Sequence, residues 1–437
     1  MKLIQPIGAA RAILIAVLLL PAMAHAKHRP LAPVDTLLSL DHLLTEIQAN
    51  NPSLRVSRLE TEVLATRSRQ VSAFPDPSVT VGYQPYPLLT ARGTQRSQWR
   101  IEQPVPYPGK LSLQGAIADL NAVVAGFEAD TFEEDLLFEA KQAYYELYRI
   151  QQQEQLILDF QDRLESFEGA AAAQYEVGSG VQQAILKAQL EKNTLARVQL
   201  ELAEHRRTAA ETLTRLLNRP TSDAFTAGIR IEAPPIPRLD EAALLEIALR
   251  ERPEADALDA AARYADARIA LARKQFMPDF GLNITYFDIG SADVPPTATG
   301  RDAVAVGATI KVPLQRGSRR ARLEETHVRR IQVEARQEAL ETSFRTQIAD
   351  LVSRLRGEAQ QLALYQEALI PQAETTLQAT LSAYTTGRTD FLDLLDAERM
   401  LFSLGTGYED TFARYLKMTA ALERALGIRS LADLDTR

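Results

Sequence analysis

The chain states one pattern twice, about 200 residues apart. The first statement runs Asn51-Pro52, a charged alanine-containing stretch, Phe74-Pro75-Asp76, an alternating segment, then Gln103-Pro104-Val105-Pro106. The second runs Arg252-Pro253-Glu254, a similar stretch, Phe276-Met277-Pro278-Asp279, an alternating segment, then Lys311-Val312-Pro313-Leu314. Long helical segments follow each, broken by related turns, Tyr175-Glu176-Val177-Gly178 and Tyr384-Thr385-Thr386-Gly387. A period this long with a fixed order of elements marks duplication of a whole structural unit. The expected organisation is a first repeat over 40–234 and a second over 235–437, forming one elongated domain.

Four segments alternate with the period of a strand. In Ser78–Tyr83, Val79, Val81 and Tyr83 share a face; in Ser97–Pro106, Trp99, Ile101, Gln103 and Val105 do. In Phe280–Asp288 the face is Phe280, Leu282, Ile284 and Tyr286; in Ala303–Val312 it is Val304, Val306, Ala308, Ile310 and Val312. Strands of roughly 9–11 residues suit a membrane barrel, whose outer face is apolar and flanked by aromatic girdles. Tyr83, Tyr86, Trp99, Tyr286 and Phe287 stand where a girdle would lie. A pair of half-buried soluble hairpins carries the same alternation and remains open at this point.

The rest reads as helix. No proline occurs from Gly109 to Gln174, and only Pro371 from Gly317 to Ala383. At 1.5 Å per residue each such segment would reach ~100 Å. Shorter helices are expected over 40–73, Gln182–Asn218, 241–275 and Asp390–Leu426. In 182–218, Leu195, Val198, Leu202, Ala209 and Leu216, with Thr212 completing the seam, follow the 3-4 spacing of coiled-coil packing. Each pair of shorter helices matches a long one in summed length, so two stacked end to end would lie along it. One chain supplies only four columns and four strands, and known membrane barrels begin at eight strands. Symmetric oligomerisation is the solution this implies.

Residues 1–26 read as a secretory signal: Lys2 and Arg11, an apolar run from Ala12 to Leu20, and the Ala24-His25-Ala26 cleavage pattern. Residues 27–39 read as an N-terminal arm. The chain has no cysteine, so neither disulfides nor a lipidated cysteine is available. Its net charge of -8 argues against nonspecific nucleic-acid binding. Five scattered histidines, His25, His28, His42, His205 and His327, form no ligand pattern, and neither a catalytic constellation nor a phosphate-binding loop is present. No cofactor is expected. The acidic run Glu133-Glu134-Asp135 is expected to be a solvated face.

The arrangement resembles the TolC-like outer-membrane efflux proteins. The resemblance rests on the duplication, the Pro75-Asp76 and Pro278-Asp279 helix-to-strand junctions, and the two turns. The stretch from Glu102 to Leu111 (EQPVPYPGKL) is similar to the strand-to-helix junction of the heavy-metal, CzcC and CusC type, branch. The resemblance implies a mainly α fold with a small β part: long antiparallel helical hairpins forming an α-barrel, and four transmembrane strands per subunit. Three copies would make a twelve-stranded β-barrel. It implies a location in the outer membrane, in contact with its lipid and extending into the periplasm. It implies a homotrimer that works with a periplasmic adaptor and an inner-membrane pump of the resistance-nodulation-division type. The adaptor would dock at Tyr175, Gly178, Gly180, Tyr384, Gly387 and Arg388. Asp393 and Asp396, with Asp390 nearby, would line a lumen constriction. The first turn lacks equivalents, since Ala184 and Lys187 stand there. Asp390 also reads as a helix cap and Asp393 as a first-turn carboxylate, without any lumen role. The function implied is a passive exit duct, for heavy-metal cations or for drugs and organic solutes. A soluble periplasmic coiled-coil scaffold and a secreted enzyme are the rival readings.

Overall fold

The computed structural model describes residues 38–176, 181–220, 225, 228–231, 240–290 and 299–434. The signal segment, most of the arm, the 234/235 boundary and Gly178 and Gly180 lie outside them. The elements run α1 (Leu40–Asn50), α2 (Pro52–Ser72), β1 (Ser78–Thr90), β2 (Gly93–Val105), α3 (Lys110–Glu176) and α4 (Gln182–Leu217). Then come α5 (Glu241–Glu251), α6 (Pro253–Lys274), β3 (Asp279–Gly290), β4 (Ala303–Lys311), α7 (Arg316–Leu364), a π-turn (Tyr365–Leu369), α8 (Ile370–Thr385) and α9 (Phe391–Leu426). The second series repeats the order of the first.

The segment 40–73 is two helices. Asn51, extended at φ -67° and ψ 119°, breaks it. Its side chain accepts from Leu54 N at 3.0 Å and donates to the Leu216 carbonyl at 2.8 Å, while Pro52 occupies the first turn of α2. Arg252 occupies the same place before Pro253, but as a cation: its guanidinium lies 3.9 Å from the Phe344 ring centroid and pairs with Glu254. Pro371 does not end the other long segment. It has no N–H to give and its ring crowds the carbonyl four residues back. The π-turn absorbs this, with Ile370 N–H reaching back five residues to Tyr365 O.

Helices α2 and α4 both pack along α3, which at 67 residues is ~100 Å long. Helices α6 and α9 pack along α7 and α8 in the same way, and α3 also meets α6 and α9. Two apolar cores result. One, around Leu43, Ile47, Tyr144, Leu213, Phe344, Leu416 and Leu422, binds the middle of the wall. The other, around Phe160, Leu164, Leu195, Leu377, Tyr384 and Leu394, binds the far hairpins. The α4 seam begins earlier than the sequence suggested, at Ala184 and Ala188, and Leu213 rather than Thr212 beside it is fully buried.

The four strands form one antiparallel sheet in the order β1-β2-β3-β4. β1 is longer than its alternating segment and continues to Thr90, and β2 starts at Gly93. The register lines up side chains in rungs. Val81, Trp99, Tyr286 and Val304 form one, and Val79, Ile101, Ile284 and Val306 the next. All eight are exposed, Val306 by 80%. The opposite face carries Thr80, Arg100, Thr285 and Ala305, then Ser78, Glu102, Asn283 and Gly307. No helix packs on the apolar face among the described residues.

The sheet is fixed to the wall at one junction. Asp279, the first residue of β3, accepts at Oδ1 from Lys110 Nζ (2.7 Å) and from Tyr107 N (2.8 Å). Lys110 also donates to the Met277 carbonyl at 3.2 Å. Gly109 turns at φ 83°, where a Cβ would stand 2.4 Å from Lys274 Nζ. That ammonium donates to the Pro108 carbonyl at 2.9 Å. Asp279 of the second repeat thus locks the strand-to-helix turn of the first.

Glu133 and Glu134 are not a solvated face, whereas Asp135 stays exposed. Arg424 of α9 spans Glu134 (2.9 Å), Asp135 (2.8 Å) and Glu254 (2.7 Å), and Glu133 holds Arg58 and Gln48. Glu133 and Glu134 face the helices that pack on α3, so their charges are absorbed between helices. Burial raises Glu134 to about 7 even though Arg424 pulls the other way. In Glu254 burial is outweighed by hydrogen bonds from Arg252 and Arg424, and its pKa falls to about 2. Glu409 of α9 rises to about 7 through burial, with Asp410 adding, and its Oε2 has no hydrogen-bond partner.

A carboxyl raised in the folded state binds protons more tightly there than in the unfolded chain, so stability falls as pH rises between about 4.5 and about 7. Glu409→Gln removes one such group. Thermal melts followed by circular dichroism are expected to show a higher Tm for the variant at pH 8, little change at pH 5, and a shallower slope between.

Candidate functional site

The far end of the second hairpin is a built turn. Helix α8 closes with Gly387 in the left-handed region at φ 71°. Gly387 N donates to Tyr384 O at 3.0 Å, and Arg388 N reaches back to Ala383 O at 2.9 Å. This pair of bonds satisfies the last carbonyls of the helix, and glycine takes the conformation without strain. Tyr384 is buried and meets Phe391 edge to face at 6.3 Å, fixing the exit of α8 against the entry of α9. The Arg388 guanidinium stays local, donating to Thr386 Oγ1 at 3.2 Å.

Asp390 caps α9. Its Oδ1 accepts from Leu392 N at 2.8 Å and from Asp393 N at 3.0 Å. Asp393 is exposed and receives the Thr389 hydroxyl. Asp396 lies one turn on, with 74% of its side chain exposed. A spacing of three puts Asp390, Asp393 and Asp396 on one stripe of the helix. The sequence-level reading of Asp390 as a cap and the clustering of the other two on one exposed face therefore coexist.

Asp396 is not an isolated charge. Arg399 Nη1 stands 3.6 Å from its Oδ1, while the same guanidinium grips Glu191 of α4 through Nε at 2.9 Å and through Nη2. A second cross-helix pair sits close by in sequence: Arg163 of α3 donates to Glu398, whose side chain is fully buried and whose Oε2 has no hydrogen-bond partner. Burial raises the Glu398 pKa despite Arg163. These four residues were not singled out by sequence, yet the signal was there. Glu191 continues the 3-4 seam of Ala184, Ala188, Leu195 and Val198, and Glu398 the seam of Phe391, Leu395 and Phe402. A carboxylate at a seam position calls for a cation on a neighbouring helix, and a polar seam residue fixes register.

Of the residues in the first turn, Tyr175 is half exposed at the end of α3, and Gly178 and Gly180 lie outside the described residues. Ala184 and Lys187 begin α4, so the first hairpin adds no carboxylate to the stripe at those places. Among the described residues no group of three or more histidine or acidic side chains could hold a metal ion, and no helix is long and apolar enough to cross a membrane.

Residues 244–428, from α5 to α9, match the family model described as outer membrane efflux protein. CusC, solved in a study of its folding and transmembrane channel formation, superposes with a TM-score of 0.73 at 20% identity, covering 91% of this chain and 94% of that one. The fold is that of an outer-membrane channel. The outer membrane protein VceC of Vibrio cholerae gives 0.71 at 19% identity, covering 89% and 96%. The open state of the MtrE outer membrane channel of Neisseria gonorrhoeae gives 0.71 at 18%, covering 91% and 94%. No curated protein matches the chain by sequence.

The tip chemistry predicts unequal costs. Asp390→Ala removes a cap and is expected to cost ~1 kcal/mol. Arg163→Ala strands the buried Glu398 carboxylate and is expected to cost more, ~3 kcal/mol, whereas Glu398→Leu is expected to be tolerated far better. Denaturant titration of the three variants ranks them.

Proposed function

We propose that the chain is the outer-membrane exit duct of a tripartite efflux system. The observation that carries this reading is the sheet. Among the described residues, four strands carry apolar rungs on one uncovered face, small and polar residues on the other, and end in a free β1 edge and a free β4 edge. Three copies edge to edge give a closed twelve-stranded barrel with lipid outside and water inside. The ~100 Å helical wall continues the conduit into the periplasm.

The duct is passive and catalyses no reaction, so energy comes from the inner-membrane pump, through the periplasmic adaptor. The adaptor meets the tips around Tyr175, Gly178, Gly180, Tyr384, Gly387 and Arg388. At the second tip, Asp393 and Asp396 from each of three copies bring carboxylates to one constriction. Such a ring favours cations and repels anions, which suits a heavy-metal cation as cargo. Arg399 tempers the ring by sharing itself between Asp396 and Glu191.

Single-channel conductance in planar bilayers tests this. The wild-type trimer is expected to form a cation-selective pore, and Asp393→Ala with Asp396→Ala to lose that selectivity with the pore intact. Unchanged selectivity would remove the two aspartates from the filter. A monomer that forms no pore and remains in the periplasmic fraction would overturn the duct.

A further inference from the structure

The two repeats differ in one respect that concerns the partner. In the first repeat, Lys110 opens α3, and its ammonium is held by Asp279, the residue ahead of the adjacent strand's first rung. In the second, Arg316 opens α7, four residues after Val312 where Lys110 stands five after Val105, and its exposed guanidinium has no side-chain partner among the described residues. A cation at a helix N-terminus opposes the helix dipole unless a carboxylate accompanies it. Asp76, the counterpart of Asp279 in the Pro75-Asp76 and Pro278-Asp279 pair, is likewise exposed without a cation among the described residues. Each half of a lock present within the chain is thus displayed again, on opposite edges of the sheet.

We propose that these halves meet between copies: Asp76 of one subunit holds Arg316 of its neighbour, and the lock sets the register of the seam between β1 and the neighbour's β4. The inference rests on the duct reading above. The register follows from the duplication. Inside the chain Val105, which precedes Pro106, lies opposite Phe280, which follows Asp279. The counterparts are Val312, which precedes Pro313, and Pro77, which follows Asp76. Setting Val312 against Pro77 brings Ile310 opposite Val79, Ala308 opposite Val81 and Val306 opposite Tyr83. Every one of these lies on the face that carries the apolar rungs, so the rungs run on across the seam. On the other face Thr309 meets Thr80 and Gly307 meets Gly82. Neighbouring strands alternate in direction through the sheet, so β4 and the next copy's β1 are antiparallel, as the other pairs are. A slip by one residue would turn one strand's apolar set to the lumen, and a slip by two would separate Asp76 from Arg316 by a further rung.

The absence of cysteine makes the register directly readable. Full-length protein carrying Thr80→Cys with Thr309→Cys, oxidised in membranes, is expected to run as disulfide-linked dimers and trimers on non-reducing gels. The offset pairs Thr80→Cys with Gly307→Cys, and Thr80→Cys with Lys311→Cys, are expected to remain largely unlinked. Asp76→Arg is expected to lower the trimer yield several-fold, and Asp76→Arg with Arg316→Asp to restore it, which a general folding defect would not allow. A trimer in which an offset pair links instead, or in which no pair links, overturns the register and leaves the duct standing. Failure of the charge swap to restore a trimer lost in Asp76→Arg overturns the lock. A wild-type chain that sediments as a monomer in detergent removes the duct itself.

Discussion

A peptide group facing hydrocarbon has no water to bond, so a strand in a membrane needs a partner on both edges. In the proposed duct, that requirement organises the rest of the molecule. Among the described residues, four strands satisfy it internally at three pairings and leave it open at β1 and β4. In the duct proposed above, the apolar rungs, continuous from β1 to β4, supply the surface that lipid contacts. An even number of strands lets identical copies meet edge to edge with alternating direction maintained. The helices then have to leave the sheet at fixed places, and the Asp279–Lys110–Tyr107 junction sets that place with charge-assisted bonds.

The wall below is held by apolar seams but addressed by charge. Leucine and alanine seams alone would tolerate sliding of one helix along another, because each turn looks like the next. Buried carboxylates remove that freedom. Glu191 requires Arg399, Glu398 requires Arg163, and Arg424 gathers Glu134, Asp135 and Glu254 from two other helices. Breaking such a pair leaves a charge in a poor dielectric, so each acts as a register pin. Glu134, raised to about 7 by burial despite Arg424, is a pin that its cation does not fully compensate.

At the tip the same residue serves two ends. Arg399 anchors α9 to α4 through Glu191 and leaves a longer contact for Asp396. The stripe of Asp390, Asp393 and Asp396 is therefore graded: the first is spent on backbone amides, the second takes a hydroxyl, and the third is shared with a cation. The net charge of the stripe is smaller than the count of carboxylates suggests.

Period-two and 3-4 patterning was enough to place the strands and the long helices, because those patterns reflect which side of an element must be apolar. The Pro-Asp junctions and the Gly387 turn were legible for a similar reason: each is a local conformational demand. The sequence also determined the duplication and the absence of cysteine. The break at Asn51 and the π-turn at Pro371 were harder to read, since a proline in a helical stretch can begin a helix or be absorbed. Only the tertiary structure decided the cation partners. Glu133-Glu134-Asp135 looked solvated because nothing local distinguishes an exposed acidic run from one that meets an arginine nearly 300 residues away. Glu191 and Glu398 were marked by their seam positions, but which arginine answers each depends on how helices distant in sequence come to lie side by side.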